Sequence, residues 1–340
     1  MQNELILWYN ANKRDFPWRK DQNPYHIWIS EIMLQQTTTE AVIPYFIRFI
    51  NTYKDINALS KASIEDIYKL WEGLGYYRRA KHILETAKVI AEKYNGEFPN
   101  DYDDILSLKG IGEYTAGAIS SIAFSQPIPA VDGNVLRIMS RYEAIKDNIA
   151  LPSTQKYIRK RVVEYIEDVD PSSFNQALMD LGATICRPKN PKCNECPIRK
   201  TCQAHLLNLE RTLPINIKKI KHEHVSYITG IITYNDQFFV IKNKEGLLEN
   251  LHGFVQYDIE SPFTFIDKFN DEYNADLKII NHIDTIKHVF THKTWYMDVY
   301  HFTLNEPISH MYSLEEIDKI AISTAHKKVL NAYLKSKDSN

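Results

Sequence analysis

The stretch LKGIGEYTAGAI, residues 108–119, decides how the first two thirds of this chain fold. Read with DYDDILSL just before it, the pattern is helix, glycine turn, helix. Gly110 and Gly112 permit a tight turn and a close approach of backbone to another molecule. The amides of Ile111 to Tyr114 then project from a helix N-terminus, a ready-made seat for a phosphate. A contact of this kind grips a nucleic-acid backbone without reading its bases. A lone Gly-x-Gly between helices is common, so the turn gains meaning only from its neighbours.

The neighbours are informative. About twenty residues later comes PAVDGNVLRIMSRY, in which Asp132 precedes an amphipathic helix carrying Val135, Ile138 and Met139. Taken alone, Asp132 reads as a helix N-cap. Upstream, HIWISEIMLQQT places Ile27, Trp28, Ile32 and Leu34 at helical spacing, with Pro24 at the helix start. Glu31 is an acid inside that otherwise apolar helix, where burial would raise its pKa. After Gly73-Leu74-Gly75, the segment from Tyr76 to Tyr94 carries an apolar stripe at three- and four-residue spacing, and Gly96 and Pro99 stop it. STQKYIRKRVVEYIEDV and FNQALMDLGATI read as further helices, enough to bury one all-α core.

The four cysteines are confined to CRPKNPKCNECPIRKTC, as Cys186, Cys193, Cys196 and Cys202, with six, two and five residues between them. A disulfide framework does not suit a cytosolic protein of this size. Zinc and an iron–sulfur cluster both accept thiolates. Zinc sites commonly use two close Cys-x-x-Cys pairs, and here there is one pair with two outliers, so spacing leans toward iron–sulfur. Between residues 186 and 221 there are nine basic and two acidic side chains, in a chain of net charge −2. Such a stripe suits a phosphate-binding face, although a solvated loop can carry the same charge.

With 340 residues, 44% hydrophobic and 25% charged, the chain is of ordinary globular composition and long enough for two domains. No apolar run reaches the length of a membrane span. MQNELILWYNANKRDFPWRK lacks a basic start followed by a long apolar stretch, so no secretory signal is expected and the cytoplasm is the default compartment. We expect a helical domain over 1–205, a linker over 206–224 and a second domain over 225–340. In the last, VSYITGIITY, QFFVIK, TIKHVF and TWYMDVYHFTL read as strands and two C-terminal segments read as helices, an α+β pattern.

The glycine hairpin, the VDGNV segment and the cysteine loop, in that order, resemble the helix-hairpin-helix DNA glycosylases of the endonuclease III type over about 1–205. More narrowly, FPWRKDQNPYHIWISEIMLQQTTT is similar to the N-terminal signature of the adenine DNA glycosylases, and the C-terminal region resembles their Nudix-like domain. The resemblance implies a multidomain protein: an all-α helix-hairpin-helix glycosylase domain with an iron–sulfur loop, plus an α+β Nudix-like domain that reads 8-oxoguanine. It implies a [4Fe–4S] cluster on Cys186, Cys193, Cys196 and Cys202. It also implies a partner in double-stranded DNA containing an adenine:8-oxoguanine mispair. No membrane partner is implied, and the chain is expected to be a monomer.

Carried over residue by residue, the resemblance makes Glu31 the acid that protonates adenine and later helps activate water. Asp132 becomes the carboxylate that stabilises the sugar cation, with Tyr114 hydrogen-bonding near it and Asn134 ordering it. Trp18, Arg19 and Gln176 fall in the adenine pocket. Gln36 and Thr37 fill the gap near the lesion, and Leu74 and Tyr76 wedge into the base stack. Gly110 and Gly112 hold a phosphate, and Phe290, Thr291 and His292 form the loop that senses 8-oxoguanine. In strand-cutting members of the superfamily a lysine occupies the position of Tyr114. Tyrosine cannot form a Schiff base, so base removal without strand cleavage is expected. Two departures stand out: Lys109 where the family usually has proline, and Thr291 where it has serine. The segment DKFNDEYNADLKI, 267–279, lacks the clustered glutamates of a working Nudix hydrolase, so the second domain is expected to bind and not to hydrolyse. The rival readings are a strand-cutting lyase, a DNA-binding or redox-sensing iron–sulfur protein, and a pyrophosphohydrolase.

Overall fold

A computed structural model of the chain describes residues 1–217 and 222–338. Of the expected linker over 206–224, residues 218–221 lie outside the described residues. The contacts group the chain into two compact units, one of residues 1–62 and 81–218, the other of 63–80 and 219–340.

The first unit is helical. Its elements are α1 (Gln2–Asn12), α2 (Pro24–Leu34), α3 (Thr39–Thr52), α4 (Ile56–Ser60), then, beyond α5 (Ile64–Trp71) of the other unit, α6 (Arg78–Lys93), α7 (Tyr102–Ser107), α8 (Glu113–Phe124), α9 (Gly133–Tyr142), α10 (Pro152–Ile166), α11 (Pro171–Thr184) and α12 (Gln203–Leu206). Three helices begin at side-chain caps, of which the sequence reading anticipated Pro24 and Asp132. Asn23 caps α2 with Pro24 in its first turn, Asp132 caps α9, and Asp170 caps α11 with Pro171 behind it. Helix α8 is the hub. It packs on α2 and on α11, and α11 also packs on α1 and α9. Leu5, Val135, Ile138, Met139, Phe174, Leu178 and Leu181 are buried in one core where α1, α9 and α11 meet.

The hairpin between α7 and α8 needs its first glycine. Gly110 has φ +80°, and a Cβ there would stand 2.7 Å from the Cβ of His82. Thr86 Oγ1 donates to the Lys109 carbonyl at 2.7 Å, and Lys109 Nζ pairs with Glu85 at 2.9 Å, so α6 braces the turn from behind.

The second unit is α+β. Its strands are β1 (Glu223–Tyr234), β2 (Gln237–Phe239), β3 (Ile241–Lys242), β4 (His252–Gly253), β5 (Val255–Tyr257), β6 (Leu277–Val289), β7 (Lys293–Leu304) and β8 (Met311–Tyr312), with α13 (Pro262–Tyr273), α14 (Leu314–Ile317) and α15 (Thr324–Asp338). The main sheet runs β6-β7-β1-β2-β8, with β5 also on β1 and β7 parallel to β1. Phe265 and Phe269 of α13 are buried against Ile228, Ile232 and Phe302 of the sheet. The second unit is thus a helix-covered sheet and the first is helical, the multidomain α and α+β class that the sequence indicates. Residues 63–80, which the sequence reading places within 1–205, belong by their contacts to this second unit.

Candidate active site

Because α8 packs between α2 and α11, side chains from the three helices converge with the N-terminus of α9 on one cleft. It has a volume of about 220 Å³, and Trp18, Arg19, Glu31, Thr37, Tyr114, Asp132, Asn134 and Gln176 all line it. Gln36 does not. It is exposed, at φ +58°, on the turn that follows α2.

Glu31 is 7% exposed. Burial pushes its carboxyl up to about 7; a hydrogen bond from Tyr114 and the charge of Arg19 pull the other way, and the charge of Asp132 adds to the rise. The Tyr114 hydroxyl titrates well above its ordinary value, first through burial and then through the charges of Glu31 and Asp132, so it is a donor at any neutral pH. Its partners are the Glu31 carboxylate and, at 3.9 Å, the Met179 sulfur; Asp132 acts on it through charge.

Asp132 divides its two oxygens. Oδ1 accepts from the backbone of Asn134 at 2.8 Å and of Val135 at 2.9 Å, capping α9. Oδ2 accepts from Asn134 Nδ2 at 2.7 Å. Arg137 Nη2 in turn donates to Asn134 Oδ1 at 2.8 Å, which fixes the amide. Gly182 makes room for this, since a Cβ there would lie 2.6 Å from the Cβ of Asn134.

Two residues that the sequence reading did not single out set one wall. Asp180 is 1% exposed and receives Arg14 at 2.6 Å and Arg19 at 2.8 Å. Burial alone would raise its carboxyl, but the Arg19 and Arg14 guanidiniums outweigh that and hold it below the usual range. The pair fixes Arg19, which also lies over the rings of Tyr9 and Phe16. Trp18 is buried and stacked on Phe16 at 5.0 Å, while the Gln176 amide donates to Ser172 Oγ at 3.1 Å.

The four cysteines line a second, small cavity, of about 30 Å³, whose walls include Ile138, Leu181, Ile185 and Ile198. Burial raises the thiols of Cys193 and Cys202 and pushes that of Cys196 up to about 12. Arg141 Nη1 donates to Cys186 Sγ at 3.4 Å and to the Arg187 carbonyl at 2.8 Å, pinning the loop to α9. Ligand atoms of Cys193, His205 and Glu210 lie within 4.8 Å of one another at the same cavity.

In the second unit, Gly73 at φ +101° and Gly75 at φ +72° shape the turn after α5. Leu74 is buried, whereas Tyr76 is 42% exposed at φ +52°. Phe290, Thr291 and His292 form the turn joining β6 to β7. Phe290 packs edge-on against Trp295 and His288, and the Thr291 hydroxyl bonds to the hydroxyl of Tyr76.

Comparison with known proteins agrees with these two regions. Residues 29–167 match the HhH-GPD superfamily of base excision DNA repair proteins, and residues 228–332 match the NUDIX domain. Adenine DNA glycosylase of Buchnera aphidicola subsp. Baizongia pistaciae is 39% identical over 89% of this chain and 86% of its own length. Adenine DNA glycosylase of Homo sapiens is 38% identical over 59% of this chain and 38% of its own length. Among solved structures, a thermostable thymine-DNA glycosylase superposes with a TM-score of 0.56 at 31% identity, covering 60% of this chain and 94% of that one. With one relative matched along nearly its whole length, both domains included, the chain belongs to the adenine DNA glycosylase family of the HhH-GPD superfamily.

Proposed function

We propose that this protein excises adenine paired with 8-oxoguanine or guanine by hydrolysing the N-glycosidic bond, and that it leaves the DNA strand intact at an abasic site. The observation that carries the proposal is the juxtaposition of a buried acid, Glu31, titrating near neutrality, with a second carboxylate, Asp132, in one cleft. Two carboxyls in unlike environments are what cleavage of a sugar from its leaving group requires.

The target adenine leaves the duplex and enters the cleft. Trp18 and Arg19 form its walls, with Arg19 fixed by Asp180 so that it need not reorganise. Protonated Glu31 gives its proton to N7 of the base. The C1′–N9 bond then breaks, its electron pair goes to the departing adenine, and a cationic sugar remains. The fixed Asp132 carboxylate stabilises that cation. Water adds to C1′ and its proton passes to the Glu31 carboxylate, which restores the acid. Among the described residues that line the cleft there is no lysine, and Tyr114 offers no amine. This supports base removal without a Schiff base and against the lyase reading.

The cysteine cavity suits a [4Fe–4S] cluster by the chemistry of its donors: four thiols of one loop around an apolar space, with a cation beside one sulfur. Cys186, Cys193, Cys196 and Cys202 would hold it, and the group would supply a cross-link for a loop rich in cations. The glycine hairpin and these cations suit the DNA backbone. The 8-oxoguanine reading rests on the loop at 290–292, where Thr291 retains a hydroxyl able to donate or accept.

The test is single-turnover cleavage of a duplex with one adenine opposite 8-oxoguanine, with and without alkali. Breakage of the adenine strand only after alkali is expected. Breakage without alkali would establish a lyase, and an uncut strand in both lanes despite DNA binding would overturn the glycosylase assignment.

A further inference from the structure

Within the second unit, a half-buried acid ties the turn that carries Leu74 and Tyr76 to α15 and to the segment that leads into it. Glu72 follows directly after α5 and its side chain is 11% exposed. Its Oε2 receives Lys327 Nζ of α15 at 2.9 Å and Lys69 Nζ at 3.0 Å, and its Oε1 accepts the Ile322 backbone amide at 3.1 Å. Lys69 Nζ also reaches the Ile320 carbonyl at 3.4 Å. Burial alone would raise the Glu72 carboxyl, but these donors outweigh it and hold it low, so it is charged at neutral pH.

From within, the turn is equally fixed. Trp71 Nε1 donates to the Gly75 carbonyl at 3.0 Å, and Arg79 Nη2 donates to the same carbonyl at 3.2 Å while lying over the Trp71 and Tyr76 rings. Four residues beyond Glu72, the Tyr76 hydroxyl meets Thr291. The turn and the 290–292 loop are therefore parts of one body, anchored at one end by Glu72 and joined at the other by two hydroxyls. Neither Glu72 nor Lys327 is a residue of the cleft.

We infer that Glu72, through Lys327, is a positioning residue that sets the Tyr76 turn against the Thr291 loop and so determines preference for 8-oxoguanine over guanine opposite adenine. The inference rests on the proposed reading of 8-oxoguanine by that loop.

The experiment is a double-mutant cycle with Glu72→Gln and Lys327→Met in the full-length protein. It reads single-turnover adenine release from duplexes with 8-oxoguanine or guanine opposite. Each single variant is expected to lower the 8-oxoguanine-to-guanine rate ratio about tenfold while leaving the rate opposite guanine unchanged, and the double variant to be no worse than either single one. The rate opposite guanine reports an intact cleft, and Lys327→Met, on an exposed lysine, is the variant that keeps the fold safe. An unchanged ratio in both single variants overturns the inference, as does a double variant whose loss is the product of the two. A wild-type ratio of one would instead remove the 8-oxoguanine reading on which the inference stands.

Discussion

Glu31→Gln is expected to make this protein more stable at alkaline pH while nearly abolishing its chemistry. The folded Glu31 carboxyl titrates near 7, against an ordinary value of 4.5. Between those two pH values the folded chain binds more protons than the unfolded chain, so stability falls as pH rises through that window, and the loss is complete above it. A displacement of this size corresponds to about 3 kcal/mol at 1.36 kcal/mol per pKa unit. Glutamine does not titrate, and its carbonyl can still accept the Tyr114 hydroxyl. The stability difference between variant and wild type should therefore grow by about 3 kcal/mol from pH 4.5 to pH 8.

Urea unfolding followed by far-ultraviolet circular dichroism at the two pH values reads this directly. With a urea dependence of about 3 kcal/mol per molar, the midpoint difference should change by about 1 M. Comparing pH values cancels any constant difference in packing. A change below about 0.3 M would refute the claim that burial of an ionisable Glu31 is what tunes the site. On the same protein, loss of the general acid should slow adenine release by about 10²–10⁴-fold. In the wild type the release rate should fall with rising pH above about 7, where Glu31 loses its proton. A flat profile from pH 6 to 9 would contradict Glu31 as the proton donor.

Three further outcomes follow from the geometry. Tyr114→Phe removes a hydrogen bond that lowers the Glu31 carboxyl, so the alkaline limb of the rate profile should move to higher pH; a limb that moves down or stays would show that Tyr114 does not bond Glu31. Asp132→Asn keeps a good cap on α9 and should preserve folding and DNA binding, yet slow adenine release at least about 10²-fold by removing the charge beneath the sugar; normal single-turnover release would remove Asp132 from the mechanism. Thr291→Ala deletes one hydrogen-bonding hydroxyl, so the preference for 8-oxoguanine over guanine should drop by about threefold to tenfold, the worth of one such bond; an unchanged rate ratio would take Thr291 out of the sensing loop.

What the sequence could and could not say about this site follows from range. Local signals were readable: the glycine hairpin, the proline that starts α2, and an acid set in an apolar helix. Asp132 shows why two readings of one residue need not compete. The cap uses Oδ1, while Oδ2 answers only to Asn134, so the same carboxylate can terminate a helix and face the cleft. Asp180 had no local signal. It sits in an amphipathic helix like any surface acid, and only the packing of α11 brings it to arginines 161 and 166 residues away. The grouping of 63–80 with the C-terminal residues was equally invisible. Glu72 reads as an ordinary i,i+3 partner of Lys69, and the contacts that matter come from Lys327 and Ile322, some 250 residues on. Tyr114 is the intermediate case: its position was legible from the hairpin, but its bond to Glu31 depends on how α8 meets α2.

Under the proposed mechanism, that last contact lets one carboxyl serve both ends of the reaction. Burial by itself would drive Glu31 far toward the neutral form, a good acid that could not afterwards take a proton from water. The Tyr114 hydroxyl and the Arg19 charge favour the ionised form and bring the group back to about 7. Near that value either form is accessible at neutral pH, which is where an acid that must also act as a base works best. Asp180 bears on the same balance through Arg19, although it does not line the cleft. By binding Arg19 at 2.8 Å and 3.1 Å through both its oxygens, Asp180 limits the guanidinium to a weaker, longer-range influence on Glu31. The acid strength at the centre of the cleft is thus set first by burial, then by a phenol on α8 and by a guanidinium after α1 that a carboxylate on α11 holds in place.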